Sequence, residues 1–182
     1  MTTLRAPGTA PAPATLPATA LSLDGGDRLP DGARVAVVVS RYNDGVTLRM
    51  LDGAVATLVA AGLAPERLTV AWVPGAFELP LAADRLAATG RYAAVICLGA
   101  IIKGETSHDR HIAAAVAGGI ETAARHHGVP MPFGVLTCDS LDQAFARADA
   151  GRVGNKGSEA AAAAVAMVGL LLRMEIEEVQ RL

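Results

Sequence analysis

The run RVAVVVS at residues 34–40 is almost wholly apolar and mostly β-branched. A helix needs more length, and a strand with one wet face would alternate, so the run reads as a strand covered on both faces. Similar runs follow at 67–73 (RLTVAWV), 92–99 (YAAVICLG) and 132–138 (PFGVLTC). Segments with helical spacing separate them. Over 45–61, Val46, Met50, Val55, Leu58 and Val59 fall along one stripe, and Gly62 supplies the stop. A second helix is expected over 76–89, closed by Gly90, and a third over 106–127, ended by Gly128 and Pro130. Ser140 caps a short helix to 149, and 156–180 form a long final helix. Each crossover is long enough to return the chain to the same edge. The pattern therefore predicts an α/β fold, a three-layer sandwich with a four-stranded parallel sheet between helices and right-handed connections. In such sheets ligands sit beyond the carboxyl ends of the strands.

A chain of 182 residues has room for one domain with a substantial core. Hydrophobic residues make up 52% and aromatics only 3%, so Ala, Val and Leu must fill that core. A formal net charge of -2 offers no basic field for nucleic acid. No apolar segment reaches the ~18 residues of a membrane span. Residues 1–20, rich in Ala, Pro and Thr, read as a flexible extension with no signal-peptide apolar region, which leaves 21–182 as a single domain. Cys97 and Cys138 lie in apolar runs at a spacing that matches no zinc motif, and read as reduced small hydrophobes.

Three polar insertions fall just past strand ends. In SRYNDG (40–45), Asn43 or Asp44 suits a helix cap, and Tyr42 is either partial core or a platform for a flat heterocycle. In WVPGAFELP (72–80), Glu78 in a first helical turn serves the helix dipole, or accepts hydrogen bonds from ligand hydroxyls or amines beside Phe77. In LGAIIKGETSHDRHI (98–112), Gly104 frees the backbone, and Thr106 and Ser107 can present N–H groups at a helix start as an anion site. His108 follows, and imidazole titrates near neutral pH, so it can move a proton in either direction. His108, Asp109 and His111, with His126 and His127 beyond, also suggest a metal. They lack the His-Glu pattern of helical zinc sites and a clear third ligand, so no metal is expected.

The fourth stretch departs from this arrangement. Phe133 opens the last strand at its amino end, and Arg147 and Lys156, the latter in GNKG (154–157), should lie toward the same far edge. If they belong with Tyr42, Glu78 and His108, they must come from a neighbouring chain.

In order and spacing, RYNDGVT, WVPGAFELP, LGAIIKGETSHDRHI, PFGVLTCD and GNKG together resemble the lumazine synthase family, over about residues 34–175. The resemblance implies a flavodoxin-like sandwich assembled at least into pentamers, with sites between subunits. It implies condensation of 5-amino-6-(D-ribitylamino)uracil with 3,4-dihydroxy-2-butanone 4-phosphate to 6,7-dimethyl-8-ribityllumazine, releasing phosphate and water, without metal or organic cofactor. It further implies cytoplasmic localisation and an association with riboflavin synthase. Carried over by position, Tyr42 stacks on the pyrimidine, with Asn43 beside it in the same motif. Ala76, Phe77 and Glu78 line the ring and ribityl pocket, and Ile101 and Ile102 contact the uracil. Glu105 and Thr106 hold phosphate through N–H groups, and His108 transfers protons. From the neighbour, Phe133 closes the ring pocket, Arg147 pairs with phosphate and Lys156 contacts the uracil side. Asp109 stands where the family usually has an aromatic, Tyr42 replaces the commoner Phe or Trp, and the loop before Lys156 leaves both Arg147 and Arg152 as phosphate candidates. A weakly catalytic, lumazine- or flavin-binding or shell-forming paralogue is the alternative, and a flavodoxin-like flavin electron carrier shares the fold class.

Overall fold

The computed structural model describes residues 20–151 and 153–180. The expected flexible extension, all but its last residue, and Arg152 lie outside the described residues. Four strands, β1 (Val35–Ser40), β2 (Leu68–Val73), β3 (Ala94–Ile102) and β4 (Phe133–Cys138), form one all-parallel sheet in the order β2-β1-β3-β4. Among the described residues, five α-helices connect or follow them: α1 (Asp44–Ala60), α2 (Leu79–Ala87), α3 (His108–His127), α4 (Leu141–Ala148) and α5 (Lys156–Gln180).

Alternation along the strands builds the three layers. Val35, Val37 and Val39 of β1 join Met50 and Leu58 of α1 and Ala164 of α5 in one core, which also takes in α4. Ala36 and Val38 face the other way, toward Leu79 and Ala83 of α2 and Val116 and Ile120 of α3. Because both faces are covered, β1 and β3 carry no polar alternation. β2 is an edge strand and only half-buried through most of its length, so its composition looks more buried than it is.

Several boundaries move from their expected places. β3 continues past Gly99 to Ile102 because β4 pairs with it as far as Ile102 beside Cys138. Gly99 is not a turn; it gives space to Leu79, whose Cδ1 would lie 3.1 Å from an added Cβ. The second helix opens as a 3-10 turn over Ala76–Glu78 before α2, and α3 starts at His108 rather than 106. On α1 the buried stripe is Val46, Met50, Ala54 and Leu58, whereas Val59 is exposed. The expected stops and cap hold elsewhere: Gly128 ends α3 at φ 64°, and Gln143 N–H donates to Ser140 Oγ at 3.3 Å.

Small residues let α5 approach α1 closely. A Cβ at Gly157 would fall 1.9 Å from the Met50 carbonyl oxygen, a backbone group that cannot swing away. Gly157→Ala is therefore expected to destabilise the fold by about 1–3 kcal/mol through overpacking, read as a lower urea midpoint with an unchanged m-value.

Candidate functional site

The carboxyl ends of β1 and β3 and the turn after β2 meet in a cleft of about 860 Å³. Backbone hydrogen bonds tie the exits together. After β1, Arg41 N–H donates to Val73 O at 2.8 Å and Tyr42 N–H to Pro74 O at 3.0 Å. Thr47 Oγ, fully buried, donates to Ser40 O at 2.8 Å and closes the turn from beneath. Tyr42 is left 72% exposed and Phe77 60% exposed, two rings at the rim of the same cleft.

Asn43 corrects a local expectation. It occupies the cap position of α1 in left-handed backbone, φ 63°, with no side-chain cap; its carbonyl receives the N–H groups of Val46 and Thr47. Asparagine tolerates that conformation better than most residues. Its Nδ2 instead donates across the cleft to Ala100 O at 2.8 Å, joining the exits of β1 and β3. Asp44 makes no cap either and is the first residue of α1. Glu78 realises the helix-start role: Oε2 accepts the Gly75 N–H at 2.9 Å. Its half-buried carboxylate still lines the cleft.

The segment after β3 forms the opposite wall. Ile101 and Ile102 are strand residues there, and Lys103 N–H donates to Cys138 O at 2.9 Å. Lys103 Nζ lies 3.8 Å from Asp139. Ser107 holds the cap position of α3 without a side-chain bond, and Thr106 Oγ accepts from His108 N–H at 3.4 Å. The amides of Glu105, Thr106 and Ser107 have no protein acceptor among the described residues. They are donors left over at a helix start, where a negative charge is favoured. His108 and His111 are exposed and line the cleft, with half-buried Asp109 between them in sequence.

His126 and His127 stand at the far end of α3, where His127 Nε2 lies 2.8 Å from Asp84 Oδ1 of α2. Among the described residues, no three His, Cys, Asp or Glu side chains are grouped to hold a metal ion. Cys97 and Cys138 are free and buried. Burial pushes the Cys97 thiol up to about 12. Burial also raises Cys138, with nearby Arg147 opposing and Asp139 adding to the rise.

Phe133, Arg147 and Lys156 line a second concavity, about 640 Å³, and no residue of the first cleft lines it. It follows the outer flank of β4 from Phe133 to Thr137, rather than the amino edge alone. Phe133 is 46% exposed. Arg147 Nη1 donates to Gln143 O at 3.0 Å. Lys156 Nζ contacts both oxygens of Glu159 at 2.8 and 2.7 Å. Glu159 went unremarked in the sequence, although its i, i+3 spacing from Lys156 is the signal for such a pair.

One chain thus carries two polar, aromatic-edged concavities. One offers two aromatic rings, two carboxylates, free amides and two histidines; the other offers an aromatic ring, a guanidinium, and an ammonium paired with the Glu159 carboxylate. A family model described as 6,7-dimethyl-8-ribityllumazine synthase matches residues 32–172, which span all four strands.

Proposed function

The chain belongs to the 6,7-dimethyl-8-ribityllumazine synthase family, and on that basis we propose that it condenses 5-amino-6-(D-ribitylamino)uracil with 3,4-dihydroxy-2-butanone 4-phosphate. The carrying observation is the split of the family-matched residues between two concavities on one chain. The cleft has the histidines and no lysine or arginine among its lining residues, and the β4 flank has Arg147 and Lys156 and no histidine. A complete site arises where the β4 flank of one subunit meets the cleft of the next, in a ring of at least five subunits, a cytoplasmic assembly able to associate with riboflavin synthase.

In that site Tyr42 and Phe77 stack against the pyrimidine, with Phe133 of the adjoining subunit closing over it. Asn43 and Ala76 shape the floor, Ile101 and Ile102 contact the uracil edge, and Glu78 accepts hydrogen bonds from ribityl hydroxyls. Lys156 approaches the uracil from the neighbour. The amides at 105–106 and the Arg147 guanidinium hold the phosphate. The aromatic amine attacks the ketone and one water leaves as the Schiff base forms; phosphate is eliminated to leave an enol that tautomerises to a second carbonyl, and the ribityl-bearing nitrogen adds to that carbonyl and closes the ring with loss of a second water. His108 moves protons between nitrogen and oxygen through these steps. No metal or organic cofactor enters the scheme. Most of the rate gain comes from holding two reactants in register.

Purified protein given both substrates is expected to form a product with lumazine absorbance and one equivalent of phosphate. Turnover no faster than the spontaneous reaction overturns the proposal and favours a binding or shell-forming paralogue. A bound, reversibly reducible flavin would favour an electron carrier instead.

A further inference from the structure

Arg147 and Lys156 sit on different helices, and a residue outside both concavities ties those helices together. Asn155 is half-buried just ahead of α5. Its Oδ1 accepts the N–H groups of Gly157 and Ser158 at 2.9 and 3.1 Å, capping α5 beside Lys156. Its Nδ2 donates to the Arg49 carbonyl of α1 at 2.9 Å and to the carbonyl of Ala148, the residue after Arg147. Gly53 makes room for this side chain: a Cβ there would fall 2.5 Å from Asn155 Cγ.

A second tie holds the same turn from outside. Arg49 Nη1 donates to Asp149 at 2.6 and 2.8 Å, and its guanidinium lies 4.7 Å from the Phe145 ring centroid. α4 has only 8 residues, too few to be stable on its own hydrogen bonds. The position of its last turn, and of Arg147, is therefore set by these contacts together with the burial of Ala144 and Ala148 in the core.

We infer that Asn155 is a positioning residue for phosphate binding: its Nδ2 donations fix the last turn of α4, so that Arg147 presents its guanidinium in register with Lys156. The inference rests on the roles proposed above for those two residues. Charge-assisted hydrogen bonds are directional, and a misplacement of about 1 Å loses much of their value.

Asn155→Ser separates the two ends of the side chain. Serine is a neutral N-cap acceptor, so α5 keeps its cap, but it has no amide to reach Arg49 or Ala148. The assembled variant is expected to show an about 3–10-fold higher KM for the phosphate-bearing substrate and an equally weakened Kd for inorganic phosphate. The KM for the aminouracil should not move. A fall in unfolding midpoint with the ratio of the two KM values unchanged overturns the inference and leaves Asn155 a structural residue only. If Asn155→Ser does not fold, Asp149→Asn decides. Removing a negative charge would by itself tighten phosphate binding, whereas a loosened α4 weakens it, here by about 2-fold; tighter or equal binding overturns the inference. A wild-type protein that turns over neither substrate overturns the proposed reaction instead. The inorganic phosphate titration then settles the positioning role alone, since equal affinities in wild type and variants contradict it.

Discussion

Substituting His108 by alanine is expected to lower kcat by about 10²–10⁴-fold, the span of a positioned general acid–base, while both KM values stay near wild type. His108 is solvent-exposed at the first residue of α3, directly after the free amides of 105–107 in sequence, and lines the cleft together with His111. Alanine suits a helix and the side chain is not part of either core, so the unfolding midpoint should not change. Kinetic loss without loss of stability is then attributable to proton transfer. Steady-state kinetics on both substrates provide the check. Undiminished kcat in His108→Ala would remove the histidine from the chemistry and leave orientation as the sole source of rate.

Arg147→Ala should act on a different parameter. Its guanidinium lies near the end of α4, tethered to protein only by the 3.0 Å bond to Gln143 O among the described residues, and is therefore available to an incoming anion. Loss of a charged hydrogen bond costs roughly 1.5–3 kcal/mol, or about 10–150-fold in affinity. The KM for the phosphate-bearing substrate should rise by that factor, with the aminouracil KM unaffected. Lysine at 147 should recover only part of the loss, because it is a point charge and not a two-pronged donor. A KM that does not respond would move the phosphate contact away from Arg147 and toward Arg152, which lies outside the described residues.

Much of this arrangement was legible in the sequence because its cause is local. Continuous apolar runs such as 34–40 report burial on both faces, and crossovers long enough for a helix force parallel pairing. Parallel pairing then sets Tyr42, Glu78 and His108 at one edge and Phe133 at the other end of its strand. What escaped depends on partners distant in sequence. β3 runs on to Ile102 because β4 pairs with it there, so Gly99, the last residue of the expected strand, proves to be a close packing contact with Leu79 inside it. Asn43 or Asp44 was expected to cap α1; Asn43 takes the cap position, yet its side-chain amide reaches Ala100, 57 residues away. Asn155 escaped although asparagine before a helix is a standard capping signal; its second set of bonds, to α1 and α4, has no local signature. Glu78 could be read both ways, and the structure realises the helix-start contact while keeping the carboxylate at the cleft.

In the proposed assembly each active site needs the cleft of one chain and the β4 flank of another. This sharing is tested most directly by unfolding His108→Ala and Arg147→Ala chains together at equal concentration, refolding and assembling the mixture, and measuring turnover below KM. If the two residues act from adjoining subunits, random assembly places an intact His108 against an intact Arg147 in about one site of four, so about a quarter of wild-type activity returns. A mixture no more active than the average of the two variants assembled separately would contradict this sharing and place both residues' action within one chain.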